Sequence, residues 1–166
     1  GELRPHLQAL TSDHRVFLEE KIKGLEKTIE KHLSTHRTEK DEILLSMPGI
    51  SFLTLGAFRA WLPELGKLNR EQIAALVGVA PIANDSGKRQ GRRHIHGGRR
   101  HMRTALYMPA LSMVRCNPKI REMYKRLKEK GKPSHLAITA IMRKVVITLN
   151  TMIKNNTKWV DKAIES

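Results

Sequence analysis

Apolar residues in this chain recur at intervals of three and four, and nowhere do they alternate over the length of a strand. In residues 7–33 the pattern is plainest: Leu18, Ile22, Leu25, Ile29 and Leu33 are spaced by four, three, four and four positions. That spacing draws one narrow stripe along a helix otherwise covered by Glu19, Glu20, Lys21, Lys23, Glu26, Lys27, Glu30 and Lys31. A charged helix with a single stripe serves as a coiled-coil or dimerisation arm, or it lies on the core of its own domain. Both readings stand at this point.

The polar stretch 36–41 interrupts the stripe and sets the expected boundary between an arm, residues 1–40, and a body, residues 41–166. In the body, Ile43, Leu44 and Met47 form a short apolar face, Pro48-Gly49 makes a turn, and helical periodicity resumes over 50–62. Pro63 ends that helix. Asn69, with Gln72 three residues on, offers a capping box for a helix over 70–77, which Gly78 and Pro81 stop. Residues 82–98 have no periodicity and read as a long exposed loop. Helix returns over 99–115, breaks at Asn117-Pro118, continues to about 130, and resumes over 134–154 after Gly131-Lys132-Pro133. Leu136, Ile138, Ala140, Ile141, Val145, Ile147, Leu149 and Met152 mark this last helix for deep burial. The fold class is all-α: a compact helical domain with a helix-hairpin-helix-like element, preceded by a long charged helix.

Composition narrows the partners. With 31 Lys and Arg against 16 Asp and Glu among 166 residues, the chain carries a net charge of +15 and a pI near 10.4. Three Phe, two Tyr and two Trp leave the core to aliphatic side chains. A lone Cys116 excludes an internal disulfide framework and any multi-cysteine zinc site, and it fits a reduced, intracellular setting. No stretch approaches the roughly 20 consecutive apolar residues of a membrane span. A chain that opens Gly1-Glu2-Leu3 reads as a soluble piece of a longer protein. A polyanion is the natural partner, and the clustering of cations beside glycines favours nucleic acid over a membrane surface.

Those cations concentrate in residues 84–103, which hold seven Lys or Arg, one acid and four glycines. Such a run is ordinarily a solvated face, but here Lys88, Arg89, Arg92, Arg93, Arg99, Arg100 and Arg103, with His94, form a set suited to phosphates. Basic, glycine-rich segments order on binding, so residues 85–98 are expected to be mobile without nucleic acid. Ser86, in Asp85-Ser86-Gly87, is either a turn former or a nucleophile whose attack on a phosphodiester the neighbouring cations would assist. His94, His96 and His101, even with Cys116, match no zinc spacing, and the acids do not cluster as a two-metal nuclease requires. The hairpin Pro48-Gly49-Ile50 has two readings. It is a phosphate-binding turn, in which Gly49 and Ile50 open a helix N-terminus to the anion, or an ordinary Pro-Gly turn between packed helices.

Taken in order, Ser46-Met47-Pro48-Gly49-Ile50, Ala74-Ala75-Leu76-Val77-Gly78-Val79-Ala80-Pro81, Ser86-Gly87, Ile95, Gly97, Arg103 and Leu106 resemble the C-terminal transposase domain of the DEDD-type insertion-sequence transposases, the one-ten family. Asn117-Pro118, Tyr124, Leu127, Gly131-Lys132, Ala137, Ala140 and Arg143-Lys144 continue the likeness, which covers about 43–155. The resemblance implies a DNA recombinase whose longer form carries an N-terminal RuvC-like domain with four metal-binding acids, then a coiled coil, then this domain. It implies Ser86 as nucleophile through a phosphoserine-DNA link, Mg2+ on the RuvC-like domain and none on this chain, and hence no activity from this chain alone. It further implies DNA and a guide (bridge) RNA as partners, a homo-oligomer through the N-terminal helix, and a bacterial cytoplasmic, nucleoid-associated setting. Two other classes fit the residues: a non-catalytic helix-hairpin-helix binding module, and a basic assembly protein that uses RNA as scaffold.

Overall fold

In a computed structural model the chain is described over residues 3–82, 94–95 and 97–160, with the backbone alone at 3–7, 9, 82, 94 and 95. It comprises two units, Gly1–Arg37 and Thr38–Ser166. The first is essentially one helix, α1 (Leu3–Thr35), of 33 residues and so about 50 Å long at ~1.5 Å per residue. The stripe read from the sequence runs along it with Leu18, Ile22, Leu25 and Ile29 exposed, as are Leu10, Val16 and Phe17. Its polar sides carry the i,i+4 pair Arg15–Glu19 at 3.7 Å, a surface pair of small energetic weight.

The second unit holds α2 (Glu39–Leu45), α3 (Phe52–Trp61), α4 (Arg70–Val77), α5 (Arg100–Cys116), α6 (Pro118–Glu129) and α7 (Ser134–Asn155). A two-residue antiparallel ladder, β1 (Pro81–Ile82) with β2 (His94–Ile95), is the only extended pairing among the described residues. Local chemistry sets the helix ends. Thr38 caps α2, with the Asp41 backbone N–H on its hydroxyl and the Asp41 carboxylate accepting from the Thr38 N–H at 2.6 Å. Asn69 and Gln72 form the expected capping box on α4, and Asn117 Oδ1 accepts from the Ile120 N–H at 3.0 Å to start α6 behind Pro118.

Packing centres on α7, which meets α2, α4, α5 and α6. Ala137, Ile138, Ile141, Met142, Val145, Val146, Leu149 and Met152 are all buried, more than one helical stripe. Opposite them lie Met102, Leu106, Ala110 and Met113 of α5 and Ile73, Ala74 and Val77 of α4. The core is aliphatic apart from Phe58, as the small aromatic content requires. By length and composition α7 is apolar enough to cross a membrane, although Arg143 and Lys144 interrupt it. Its apolar residues instead line the core. Buried Asn150 ties the connection between α3 and α4 to α7: its Oδ1 accepts from the Gly66 N–H and its Nδ2 donates to the Leu68 carbonyl, both at 2.8 Å.

Asp41 is 2% exposed and carries the main buried charge of this unit. The Arg59 guanidinium of α3 grips it with both Nε, at 3.0 Å, and Nη2. Burial alone pushes the Asp41 carboxyl up, but the bonds from Arg59 and from the Thr38 hydroxyl and N–H outweigh it and hold the group below 3.8. The pair therefore stabilises the fold fully above the ordinary carboxylate range and is lost as pH falls below it. Asp41→Ala strips α2 of its cap partner and removes the buried carboxylate that Arg59 grips. The expected cost is about 3 kcal/mol, read as a lower urea midpoint at pH 7 with unchanged slope.

Candidate nucleic-acid interface

The basic segment leaves the body from the end of α4 and returns at the start of α5. Val77 is the last residue of α4, and Gly78 terminates it in the left-handed region at φ 78°, where its N–H closes on Ala74 and Ala75. The chain then runs into β1, which pairs Pro81 with Ile95 and Ile82 with His94. On return, Gly97 and Gly98 have φ of 69° and 70°, and Gly98 lies directly against the Gly78 backbone. A Cβ on Gly98 would collide with Gly78 N and come within 2.8 Å of the Val77 carbonyl carbon. Only glycine admits this approach. Where the periodicity led us to expect one open loop over 82–98, the two ends are thus clasped by a ladder and a glycine contact. A two-residue ladder is too short to leave a period-two pattern.

The clasp gathers both ends of residues 83–93 at one point on the body. Ser86, Lys88, Arg89, Arg92 and Arg93 lie outside the described residues, as do His96 and the side chain of His94, and with them most of the segment expected to be mobile.

Two arginines expected on phosphates are used in part by the clasp itself. Arg99 Nη1 and Nη2 each bond one oxygen of Glu64 at 2.6 Å, a planar fork on a carboxylate. Arg99 Nη1 also donates to the Trp61 carbonyl at 2.8 Å, and the Arg99 backbone N–H donates to Leu76 at 2.8 Å. The fork from Arg99 draws the Glu64 carboxyl from 4.5 to about 2. Arg103 Nη1 donates to the carbonyls of Gly78 at 3.2 Å and Gly97 at 3.1 Å, joining the two glycine strands from α5. Arg100 stands exposed in the first turn of α5, and beside it the His101 ring stacks on Trp61 with centroids 5.0 Å apart. Glu64 and Trp61 were not among the residues singled out in the sequence. They are separated from Arg99 by 35 and 38 positions, and no local pattern links them.

The Pro48-Gly49-Ile50 hairpin joins α2 to α3. Gly49, at φ 88°, faces α5: a Cβ there would sit 2.6 Å from Ser112 Cβ and 3.3 Å from the Pro109 carbonyl. Helix packing thus gives a reason for this glycine. The Ile50 side chain is buried, and Ser51 caps α3 by accepting from the Thr54 N–H at 3.3 Å. On α7, burial and then the charge of Arg70 push the Lys144 ammonium below its usual range. Among the described residues no three His, Cys, Asp or Glu converge as metal ligands. His101 and Cys116, at opposite ends of α5, are about 22 Å apart and cannot share an ion.

The family model described as the transposase IS116/IS110/IS902 family matches residues 41–125, from α2 into α6 and across the whole basic segment. The chain belongs to this transposase family. Among curated relatives it is 32% identical over 146 residues to the uncharacterized 42 kDa protein of insertion element IS900 from Mycobacterium paratuberculosis, covering 84% of the chain and 35% of that protein. It is 31% identical over 160 residues to the 44.8 kDa protein of insertion element IS116 from Streptomyces clavuligerus, covering 93% and 39%. It is also 31% identical over 127 residues to the pilin gene-inverting protein of Moraxella lacunata, covering 74% and 39%. The chain therefore spans little more than a third of the length of these relatives. The match to the transposase family includes both glycines of the clasp, Arg99, Arg103 and Glu64.

Because its carboxyl is held at about 2, Glu64 stays charged and clasped above 4.5, and the clasp weakens as pH falls from there toward 2. In a carboxyl-carbon NMR titration the Glu64 midpoint is expected near 2 and should rise toward 4.5 in Arg99→Met.

Proposed function

We propose that this chain is the nucleic-acid-binding and nucleophile-bearing part of a DNA transposase or recombinase. One observation carries the reading: the basic segment, with Lys88, Arg89, Arg92 and Arg93 between its two ends, is rooted on a clasp that brings those ends together on the body. Cations so close together in sequence repel each other until phosphates neutralise them, and each such contact releases counterions. Family membership and the name of the pilin gene-inverting relative support DNA rearrangement as the setting.

On this reading Lys88, Arg89, Arg92, Arg93, His94 and Arg100 contact phosphates. Arg99 and Arg103 present their remaining guanidinium donors at the root, and the Gly49-Ile50 backbone offers a second phosphate contact at the start of α3. The Ser86 hydroxyl attacks a DNA phosphorus: the Oγ–P bond forms, the bond from phosphorus to one sugar oxygen breaks, and that oxygen leaves with a proton. One ester replaces another, so attack by a second sugar hydroxyl rejoins DNA and frees the serine. The cations stabilise charge on the non-bridging oxygens. Mg2+ belongs to the RuvC-like domain that the sequence resemblance implies, where it would act as a Lewis acid. A guide RNA shares the basic surface, and the exposed stripe of α1 pairs copies of the protein.

With full-length protein, nicked cognate DNA and guide RNA, a covalent protein-DNA adduct is expected on a denaturing gel. Ser86→Ala should abolish it while DNA binding persists. An adduct that survives the substitution would overturn the nucleophile, and recombination without any adduct would leave a binding module. Arg92→Glu with Arg93→Glu should lower the slope of log affinity against log salt by about 2.

A further inference from the structure

The clasp places an aromatic pair beside the basic segment, and nothing in the body accounts for its exposure. Trp61 closes α3 with 44% of its surface exposed, although a side chain of that size stabilises a core strongly when buried. Its ring is held instead by His101, from the first turn of α5, with the two planes 27° apart. The pair forms a ridge between two clefts. One, of about 390 Å³, is floored by Leu53, Ala57 and Met108; the other, of about 370 Å³, is lined by Ala60, Pro63 and Arg99. Among the described residues no Asp or Glu lines either cleft. The surface is therefore aromatic and apolar along its lining, with exposed Arg100 adjoining and Arg99, paired with Glu64, at its edge.

We propose that Trp61, backed by His101, is a stacking platform for an unpaired nucleobase at the root of the basic segment. The inference rests on the nucleic-acid reading above and adds to it a residue and a state of the strand. A base within a duplex has both faces covered by its neighbours, so only an unpaired or extruded base can lie on an indole. The position suits such a base. Arg99 donates to the Trp61 carbonyl at 2.8 Å and, through its own N–H, to Leu76 at the end of α4. The same residue thus links the platform to the exit of the segment that would hold the phosphates. A strand whose phosphates meet Arg100, next in the chain to His101, passes beside this ridge. DNA and RNA offer the same π-face, so the chemistry names an unpaired base and the experiment names its source.

The full chain carries two tryptophans, so Trp159→Phe leaves Trp61 as sole emitter. In that background, a single-stranded oligothymidine or oligouridine should quench the emission. An abasic strand of equal length and charge should not, and the stronger quencher of the two base-bearing strands identifies the source. Trp61→Leu should weaken binding of the base-bearing strand about tenfold, leave the abasic strand and a duplex of equal length within about twofold, and be largely rescued in Trp61→Phe. Equal quenching by the abasic strand, or equal losses on every probe, would overturn the platform while leaving the basic segment as a nucleic-acid contact. If the chain bound none of the probes at low salt, the nucleic-acid reading would fail first and the platform with it.

Discussion

The buried helix α7 is the constraint from which the architecture follows. A chain with three Phe, two Tyr and two Trp has to build its core from aliphatic groups, and α7 answers by burying side chains on more than one face. Both α4 and α5 pack along it. The end of one and the start of the other are thereby brought together, and whatever lies between must leave and return at a single place. The most basic stretch of the chain occupies that interval. Glycine at 78 and 98 lets the two backbones touch, and the guanidinium groups of Arg99 and Arg103 fasten the junction.

Charge in this protein is divided between two tasks. Asp41 with Arg59, and Glu64 with Arg99, are forks that hold helices and connections in place. Both carboxyls are pulled below their ordinary values, so both pairs are intact across the neutral range. The surplus behind the net charge of +15 is of another kind, concentrated where no carboxylate follows it in sequence. Residues 86–103 contain no Asp or Glu. On the proposed function, a polyanion is what offsets this surplus.

Helices and their stops were legible because their determinants are local. Pro63, the Asn69-Gln72 box, Gly78, Asn117-Pro118 and Gly131 each act within a few residues of themselves, and the structure starts or ends a helix near each of them. The arm's stripe was equally plain, since periodicity alone defines it. Contacts between distant positions were not legible. Asp41 meets Arg59, Glu64 meets Arg99 and Asn150 meets Gly66 only after the helices have packed, across 18, 35 and 84 positions. For the same reason Arg99 and Arg103 could be assigned to phosphate from composition, while their part in the clasp could not. Gly49 carried two readings in the sequence, and the approach of Ser112 supplies the packing one. Trp61 offered no signal, because an aromatic at the end of a helix reads as core until its exposure is seen.

On the proposed function, the helical body is a frame that presents residues 83–93 to phosphates. Measuring duplex DNA affinity from 50 to 300 mM salt tests it most directly, comparing the chain with one whose residues 83–93 are replaced by a neutral Gly-Ser stretch of equal length. Four cations are removed, so the slope of log affinity against log salt should fall by about 3 to 4, at an unchanged urea midpoint. An unchanged slope with the body intact would contradict the account and move the phosphate contacts elsewhere on the chain.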